Sequence, residues 1–439
     1  LVSGISIGRV RGLFGRFSGT LMLSGVQAAV LCISLLSQVS LARHFGASHD
    51  LDKFYAVLGV ATGVLGSLGV GINYVLPPKL VRFVVAGDEH EASLHAGRAL
   101  LTLGVAILLI AVIGASIMLV VAENSPISEA SGSMIGAVAA GWGIAAGTAM
   151  ATILAAIATA HRRIAVPLCV SALPPFCLLL SVLFHPHPSA TPVLAGMLVG
   201  TILQCMALAL HARAFIRIEA PWFDVGRSDL AGLAMATFGA VCFSGYALID
   251  AMLAPQMGAG ILTLQSLSQR LVIAFGAVLT AGAFALAPAD FGRQIEHGKH
   301  DEAGRGLNRT AATLIGVSLA AAVFTPILGK PILYLLFVGG SFGADQVDAM
   351  SLTLSLLLTG AGAMLATAIG FRLLYAMGSG QLVALASIVW LVSYAGLASL
   401  FWRLGMGNPL SISYAASWWL VFALMMILVH NRLRQAAQR

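Results

Sequence analysis

Apolar stretches about 20 residues long, the length that crosses a bilayer, alternate with short polar breaks along nearly the whole chain. Twelve are legible, at approximately 21–42, 54–77, 99–121, 134–160, 164–185, 193–212, 230–254, 261–287, 310–329, 349–371, 381–402 and 410–430. Each predicts a membrane-spanning helix, and the fold class is an all-α polytopic membrane protein with about 12 transmembrane helices. Ahead of the first span, Ile7, Val10, Leu13, Phe14 and Phe17 recur at helical spacing while Arg9 and Arg16 fall elsewhere around the turn. Residues 1–20 are expected to be a basic amphipathic segment on the membrane surface, weakened as a helix by Gly8, Gly12 and Gly15.

The polar breaks carry a repeat. Pro77, Arg82, Gly87, Glu91, Ala92, Arg98, Thr102 and Leu103 recur as Pro288, Arg293, Gly298, Glu302, Ala303, Arg309, Thr313 and Leu314. Upstream, Leu41-Ala42-x-x-Phe45-Gly46-Ala47 is echoed by Leu253-Ala254-x-x-Met257-Gly258-Ala259. The unit that repeats is a six-helix bundle. We expect an N-terminal bundle at 21–212, a polar linker at 213–229 with Pro221 and Trp222 in it, a C-terminal bundle at 230–430 and a basic tail at 431–439. An even number of helices per unit makes the repeat parallel, an arrangement that places a substrate site between the halves. The duplicated loops are expected to hold gate or scaffold ion pairs through Arg82, Glu91 and Arg98 in one copy and Arg293, Glu302 and Arg309 in the other.

Composition agrees with a lipid solvent: 59% of the 439 residues are hydrophobic and 9% charged, against roughly a quarter charged in a soluble domain. Of the 24 Lys and Arg residues, one set of alternate loops holds only Arg43, Lys53, Lys330 and Arg403, and Arg270 lies within a span; the rest fall in the other loops and the two tails. This imbalance predicts a multi-pass membrane protein with both termini cytoplasmic. The net charge of +7 then reports topology and anionic headgroups, and no nucleic-acid partner is implied. Cys32, Cys169, Cys177, Cys205 and Cys242 all sit inside spans without a CxxC pair, as apolar packing residues. No cofactor or metal is predicted; His185 and His187 form at most a weak pair of ligands. Pro167, Pro174 and Pro175 are expected to kink the fifth span.

A charge inside a bilayer is expensive, so it normally faces a cavity or a partner. Arg270, amid Gln265, Ser266, Ser268 and Gln269, is expected to line a hydrophilic cavity, and Asp250 to lie nearer a membrane interface. Gln38 and Ser37 of the first span are candidate neighbours. A cavity with an arginine and few acids suits an anion, because the guanidinium fork matches phosphate or carboxylate.

The run Ala42-Arg43-His44-Phe45-Gly46-Ala47-Ser48-x-x-x-Asp52-x-Phe54-Tyr55 resembles the MurJ/MviN-type lipid II flippases, relatives of polysaccharide exporters and MATE multidrug extruders. Leu248-Ile249-Asp250, Ser268-Gln269-Arg270-Leu271 and Gly298-Lys299-His300-Asp301-Glu302 extend the resemblance, which covers about residues 20–375. It implies two bundles in a V around a central cavity, Arg270 as a cavity arginine, and Arg43, Gly46 and Asp52 as a family loop motif. It also implies alternating-access flipping of an undecaprenyl-pyrophosphate-linked saccharide, either lipid II or another cell-envelope oligosaccharide, with membrane lipids and cell-envelope biosynthesis proteins as partners. Two features depart from the family: residues 31–40 and 54–74 contain no arginine or lysine, and twelve helices are two fewer than is usual there. The alternatives are a MATE-like antiporter and a transport-inactive scaffold. No GxxxxGK[ST] nucleotide-binding motif occurs, and no long loop houses soluble chemistry, so an enzyme is not expected.

Overall fold

A computed structural model describes residues 7–123, 131–161, 163–185, 189–219, 227–281, 294 and 298–437. Fifteen helices are described: α1 (Ile7–Phe45), α2 (His49–Ala86), α3 (Glu89–Glu123), α4 (Ser131–Ala160), α5 (Ala165–Val170), α6 (Leu173–Phe184), α7 (Ala190–Ala212), α8 (Arg227–Ser244), α9 (Tyr246–Met257), α10 (Ile261–Ala281), α11 (His300–Phe324), α12 (Lys330–Phe337), α13 (Ala344–Ala376), α14 (Gly380–Arg403) and α15 (Pro409–Ala437). Joined end to end where they break within the membrane, they make 12 helices long and apolar enough to cross it.

The breaks have local causes. Pro167 sits in α5, and Pro174 and Pro175 open α6, where a proline's missing N–H does no harm; the fifth span is therefore two helices. Gly245 separates α8 from α9. A π-turn at Thr325–Gly329 joins α11 to α12. From Ile7 the backbone of the N-terminal segment runs unbroken into the first span as α1; residues 1–6 lie outside the described ones.

The repeat is visible in how the helices pack. In the first set α2 packs on α4, α4 on α3 and α7, α6 on α7, and α1 on α5 and α6. In the second, α10 packs on α13, α13 on α11 and α15, α14 on α15, and α8 and α9 on α14. Each of these partnerships has its counterpart in the other set. Between sets, α2 lies against α8, α9 and α10. Lipid offers helices no hydrophobic drive to associate, so close approach by small residues matters most; Gly59 and Gly63 of α2 put Ala247 and the Ser244 carbonyl within 3.5 Å of where a Cβ would stand. The bilayer-facing side of α3 is lined instead by exposed Leu108, Val112, Ile113 and Ile117.

The chain's two ends of the membrane differ in chemistry. We call the end bearing the basic loops the basic end and the other the far end. At the basic end the repeated glycines Gly87 and Gly298 both adopt left-handed backbone, φ 79° and 73°, a conformation that ends helices and favours glycine. The Asp88 carboxylate then accepts from the Glu91 N–H, 3.1 Å away, at the start of α3. The segment leaving α7 docks on that same start: Arg217 N donates to Ser93 O at 3.0 Å, and Phe215 stacks on His161 with centroids 4.1 Å apart. Residues 220–226 of the expected linker lie outside the described ones.

Candidate functional site

Between the two sets, α2, α8, α9 and α10 enclose a cavity of about 320 Å³. Among the described residues two charged side chains line it, Arg270 and Asp250, with Tyr55, Thr62, Ser266 and Gln269 among their polar neighbours. The sequence expectation separated the two charges in depth; the structure places both on this one cavity.

They are held differently. Asp250 is 2% exposed, accepting from Tyr394 Oη and, at 3.2 Å, from Gln269 Nε2. Behind it the aromatic rings of Phe243, Tyr246, Trp390, Tyr394, Tyr414 and Trp418 fill the second set, with Trp390 and Tyr394 stacked at 5.5 Å and Phe243 and Trp418 at 5.3 Å. Asp250 is therefore buried among the helices of the second set. Arg270 lies with its guanidinium carbon 5.2 Å from the centroid of the Tyr55 ring, a cation–π contact. Tyr55 belongs to the other set, and its hydroxyl is anchored by donation to Gln38 Oε1 at 2.9 Å. No ion pair or hydrogen bond engages the Arg270 guanidinium among the described residues. Its five N–H donors are thus without a hydrogen-bonded acceptor among the described residues, although polar side chains line the same cavity.

Just beyond the cavity, the far end is closed by a lock between the sets. The Asp52 carboxylate, 5% exposed, accepts from Gly260 N at 2.7 Å, Thr263 N at 2.8 Å and Thr263 Oγ1 at 2.7 Å. An aspartate of the first set thus caps the N-terminus of α10 in the second, where orphan N–H groups and the helix dipole favour an anion. Arg43 Nη2 donates to Leu335 O near the end of α12 at 2.9 Å, Ser341 N donates to Arg43 O at 2.7 Å, and Ala47 N donates to Gln346 Oε1 at 3.1 Å. Close backbone approach makes glycine necessary here. A Cβ on Gly260 (φ 84°) would stand 2.6 Å from Ala47 O, one on Gly46 would strike Ser341 O, and one on Gly340 would strike Arg43 O.

The family model for the lipid II flippase MurJ matches residues 144–439. The chain belongs to that family. Among solved structures, it is similar over 95% of its length to 90% of a lipid II flippase MurJ in an inward closed conformation, with TM-score 0.76 and 10% identity. It also resembles a multidrug-resistance MATE-family transporter of the MOP superfamily in its inward-facing conformation, with TM-score 0.73, 14% identity, and coverage of 95% of this chain and 99% of that one. The outward-facing conformation of such a transporter gives TM-score 0.67 at 14% identity and 94% coverage of each chain. No curated protein matches the sequence. Membership in MurJ makes this a multi-pass membrane protein of a transport family.

Within this MurJ-family chain the remaining sequence candidates scatter. Gln265 faces away from Arg270 and lines a second cavity; at about 100° per residue, the polar run from Gln265 to Arg270 wraps the helix and cannot all face one side. Gln38 supports Tyr55 from behind, and the buried Ser37 hydroxyl donates to Ser34 O in its own helix. Of the loop residues, Glu302 pairs locally with Lys299 at 3.2 Å, Arg82, Glu91 and Arg309 are exposed, Arg98 is half-buried, and Arg293 lies outside the described residues. Asp50-Leu51-Asp52 is an acid pair that sequence reading passed over, but Asp50 pairs with Lys53 at 3.7 Å while Asp52 caps α10. His185 bonds through Nδ1 to Ser181 O, and His187 lies outside the described residues. Tyr55, Thr263 and Tyr394 were not foreseen; the one available signal was a hydroxyl carried into an apolar span.

Proposed function

We propose that this chain moves an undecaprenyl-pyrophosphate-linked saccharide across the bacterial inner membrane, headgroup through the central cavity, by rocking the two six-helix sets. The observation that carries this reading is the unpartnered guanidinium of Arg270, set on the Tyr55 ring at 5.2 Å inside a cavity between the sets. A diphosphate supplies the acceptor oxygens that the protein does not, and bidentate geometry matches the guanidinium fork. The excess of basic residues in one set of loops supports cytoplasmic termini; on that reading the lock at Asp52 closes the outer side and the cavity loads from within. Opening outward breaks the Asp52 cap and the Arg43 bonds; a headgroup on Arg270, about two turns along α10 from that cap, is placed to bias the change. Asp250, already satisfied by Tyr394 and Gln269, has the role of holding α9, α10 and α14 in register.

The test is replacement of Arg270 with Ala and with Lys in the depleted host, followed by mass spectrometry of undecaprenyl-linked intermediates. Arg270→Ala should accumulate one such intermediate with the protein still inserted, and Arg270→Lys should restore part of the flux, keeping the charge but losing the fork. Wild-type levels in both variants would remove Arg270 from transport. The identity of the intermediate, lipid II or another saccharide, names the substrate. A second reading, a MATE-like antiporter, is favoured by the deep burial of Asp250; drug-resistance profiling of a deletion strain separates it, since a flippase loss leaves the export of cationic drugs unchanged.

A further inference from the structure

Two buried aspartates stand where the sets meet, and their partners differ in one respect. Asp52 accepts from Gly260 N and Thr263 N. A backbone amide can only donate, so the cap needs a carboxylate. Asp250 is bonded by Tyr394 Oη and, at 3.2 Å, by Gln269 Nε2. A hydroxyl can rotate and a side-chain amide can turn over, and each then accepts where it had donated. The same two partners therefore serve Asp250 whether it is ionised or protonated.

Little else around Asp250 can change its charge. Tyr246 of its own helix, Arg270 of α10, Tyr394 of α14 and Tyr414 of α15 face it, while α2 and α8 bring Tyr55 and Ser244 to the cavity. Guanidinium stays charged, and phenols keep their protons at neutral pH. No other carboxyl and no histidine lines the cavity among the described residues. The wall is therefore positive when Asp250 is protonated and neutral when it is ionised. An anion beside Arg270 meets that difference at short range, because Gln269, which bonds Asp250, is the chain neighbour of Arg270. Like charges sharing one enclosed site favour a proton on one of them.

We propose that Asp250 makes anion binding at Arg270 proton-linked: as the anion arrives, one proton passes from solvent to the Asp250 carboxylate, and Tyr394 and Gln269 reorient to keep both bonds. By reciprocity, protonated Asp250 strengthens the hold on the anion and ionised Asp250 weakens it. Asp250 acts through the charge of the wall and not by contact with the ligand, so it sets the pH window in which the cavity loads and releases. The inference rests on the anion site of the proposed function and is indifferent to which lipid carries the anion.

The probe is methanedisulfonate, a dianion with the two-centre shape of a diphosphate that does not itself titrate near neutral pH. Isothermal titration calorimetry on the full-length protein in phosphatidylcholine nanodiscs reads its affinity from about pH 5.5 to about pH 8.5 and, in buffers of different ionisation enthalpy, the protons taken up. We expect affinity to fall as pH rises, by up to about tenfold per unit, with uptake approaching about one proton per anion where the fall is steepest. Asp250→Asn, which has the shape of the acid and stays neutral, should keep the low-pH affinity throughout and take up no proton. Arg270→Ala should not bind. Flat affinity without proton uptake in the wild type, a result that needs no variant to fold, would overturn the proposal and leave the anion site standing. A slope that persists in Asp250→Asn would do the same. Absence of saturable binding to the wild type at every pH would remove the anion site and the proposal together. Accumulation of a lipid-linked intermediate in the depleted host beside a flat pH profile would keep the flippase reading and sink this one; proton-linked binding in a protein whose loss changes no such intermediate would do the reverse.

Discussion

The two halves of the molecule meet in two ways that could hardly differ more. At the far end they are joined by directional bonds between main-chain groups and one buried carboxylate, over glycines with no room for a methyl group. A few turns deeper they stand apart around a cavity, and the charged side chain there has a ring beneath it and no acceptor. The first region is saturated and the second is not. A saturated contact stores the energy of a closed state, while an unsaturated one leaves a place for something else to bind; alternating access requires both, coupled through one rigid element. On the proposed transport reading helix α10 is that element, because Asp52 caps its first turn and Arg270 projects from its middle.

This contrast can be broken from either side. The largest effect should come from Gly260→Ala. The new Cβ stands 2.6 Å from Ala47 O at a φ of 84°, adding a backbone penalty of about 1–2 kcal/mol to the clash. Spin labels at Asp50 and Asp345, in a background without the five cysteines, should report a longer distance with a population shift of tenfold or more; an unchanged distance would mean the lock does not hold the halves together. Asp52→Ala should come next, opening the same distance by removing a cap and three hydrogen bonds, on the order of 2 kcal/mol, while leaving diphosphate binding at Arg270 intact. The smallest effect concerns the cavity. Tyr55→Leu removes the ring under Arg270, about 0.5–2 kcal/mol, and should slow flipping several-fold in reconstituted vesicles. Tyr55→Phe keeps the ring and should slow it less. Equal rates in the two variants would mean that the Gln38 hydrogen bond, and not the ring, places the arginine.

What the sequence made legible follows from physics of different reach. The twelve spans are a matter of length and apolarity, which every residue in them reports. The duplicated Gly87 and Gly298 could be read as turns because left-handed backbone excludes most side chains, and the structure gives both the same φ sign. Arg270 and Asp250 stood out because lipid tolerates charge badly. Tyr55 did not, since an aromatic residue in a span most often packs against neighbours and its position beneath Arg270 depends on the approach of two helices far apart in the chain. Asp52 was visible as part of a motif, yet nothing in its neighbours says that it caps a helix in the other half. The two cavities on α10 were indistinguishable for a further reason. Six consecutive residues, five of them polar, circle the helix, and which side each one faces is fixed only by the packing of α13, α14 and α15.

The lock at the far end has one more property. Its donors and acceptors are mostly main chain: Arg43 O, Leu335 O, Ser341 N, Gly260 N and Thr263 N. Such groups belong to every residue, so Leu335 and Ser341 can be exchanged for many others while the closure survives. What the gene must keep is short: three glycines, an aspartate, and an arginine long enough to reach a helix end. So short a requirement leaves most of the surrounding sequence free to vary.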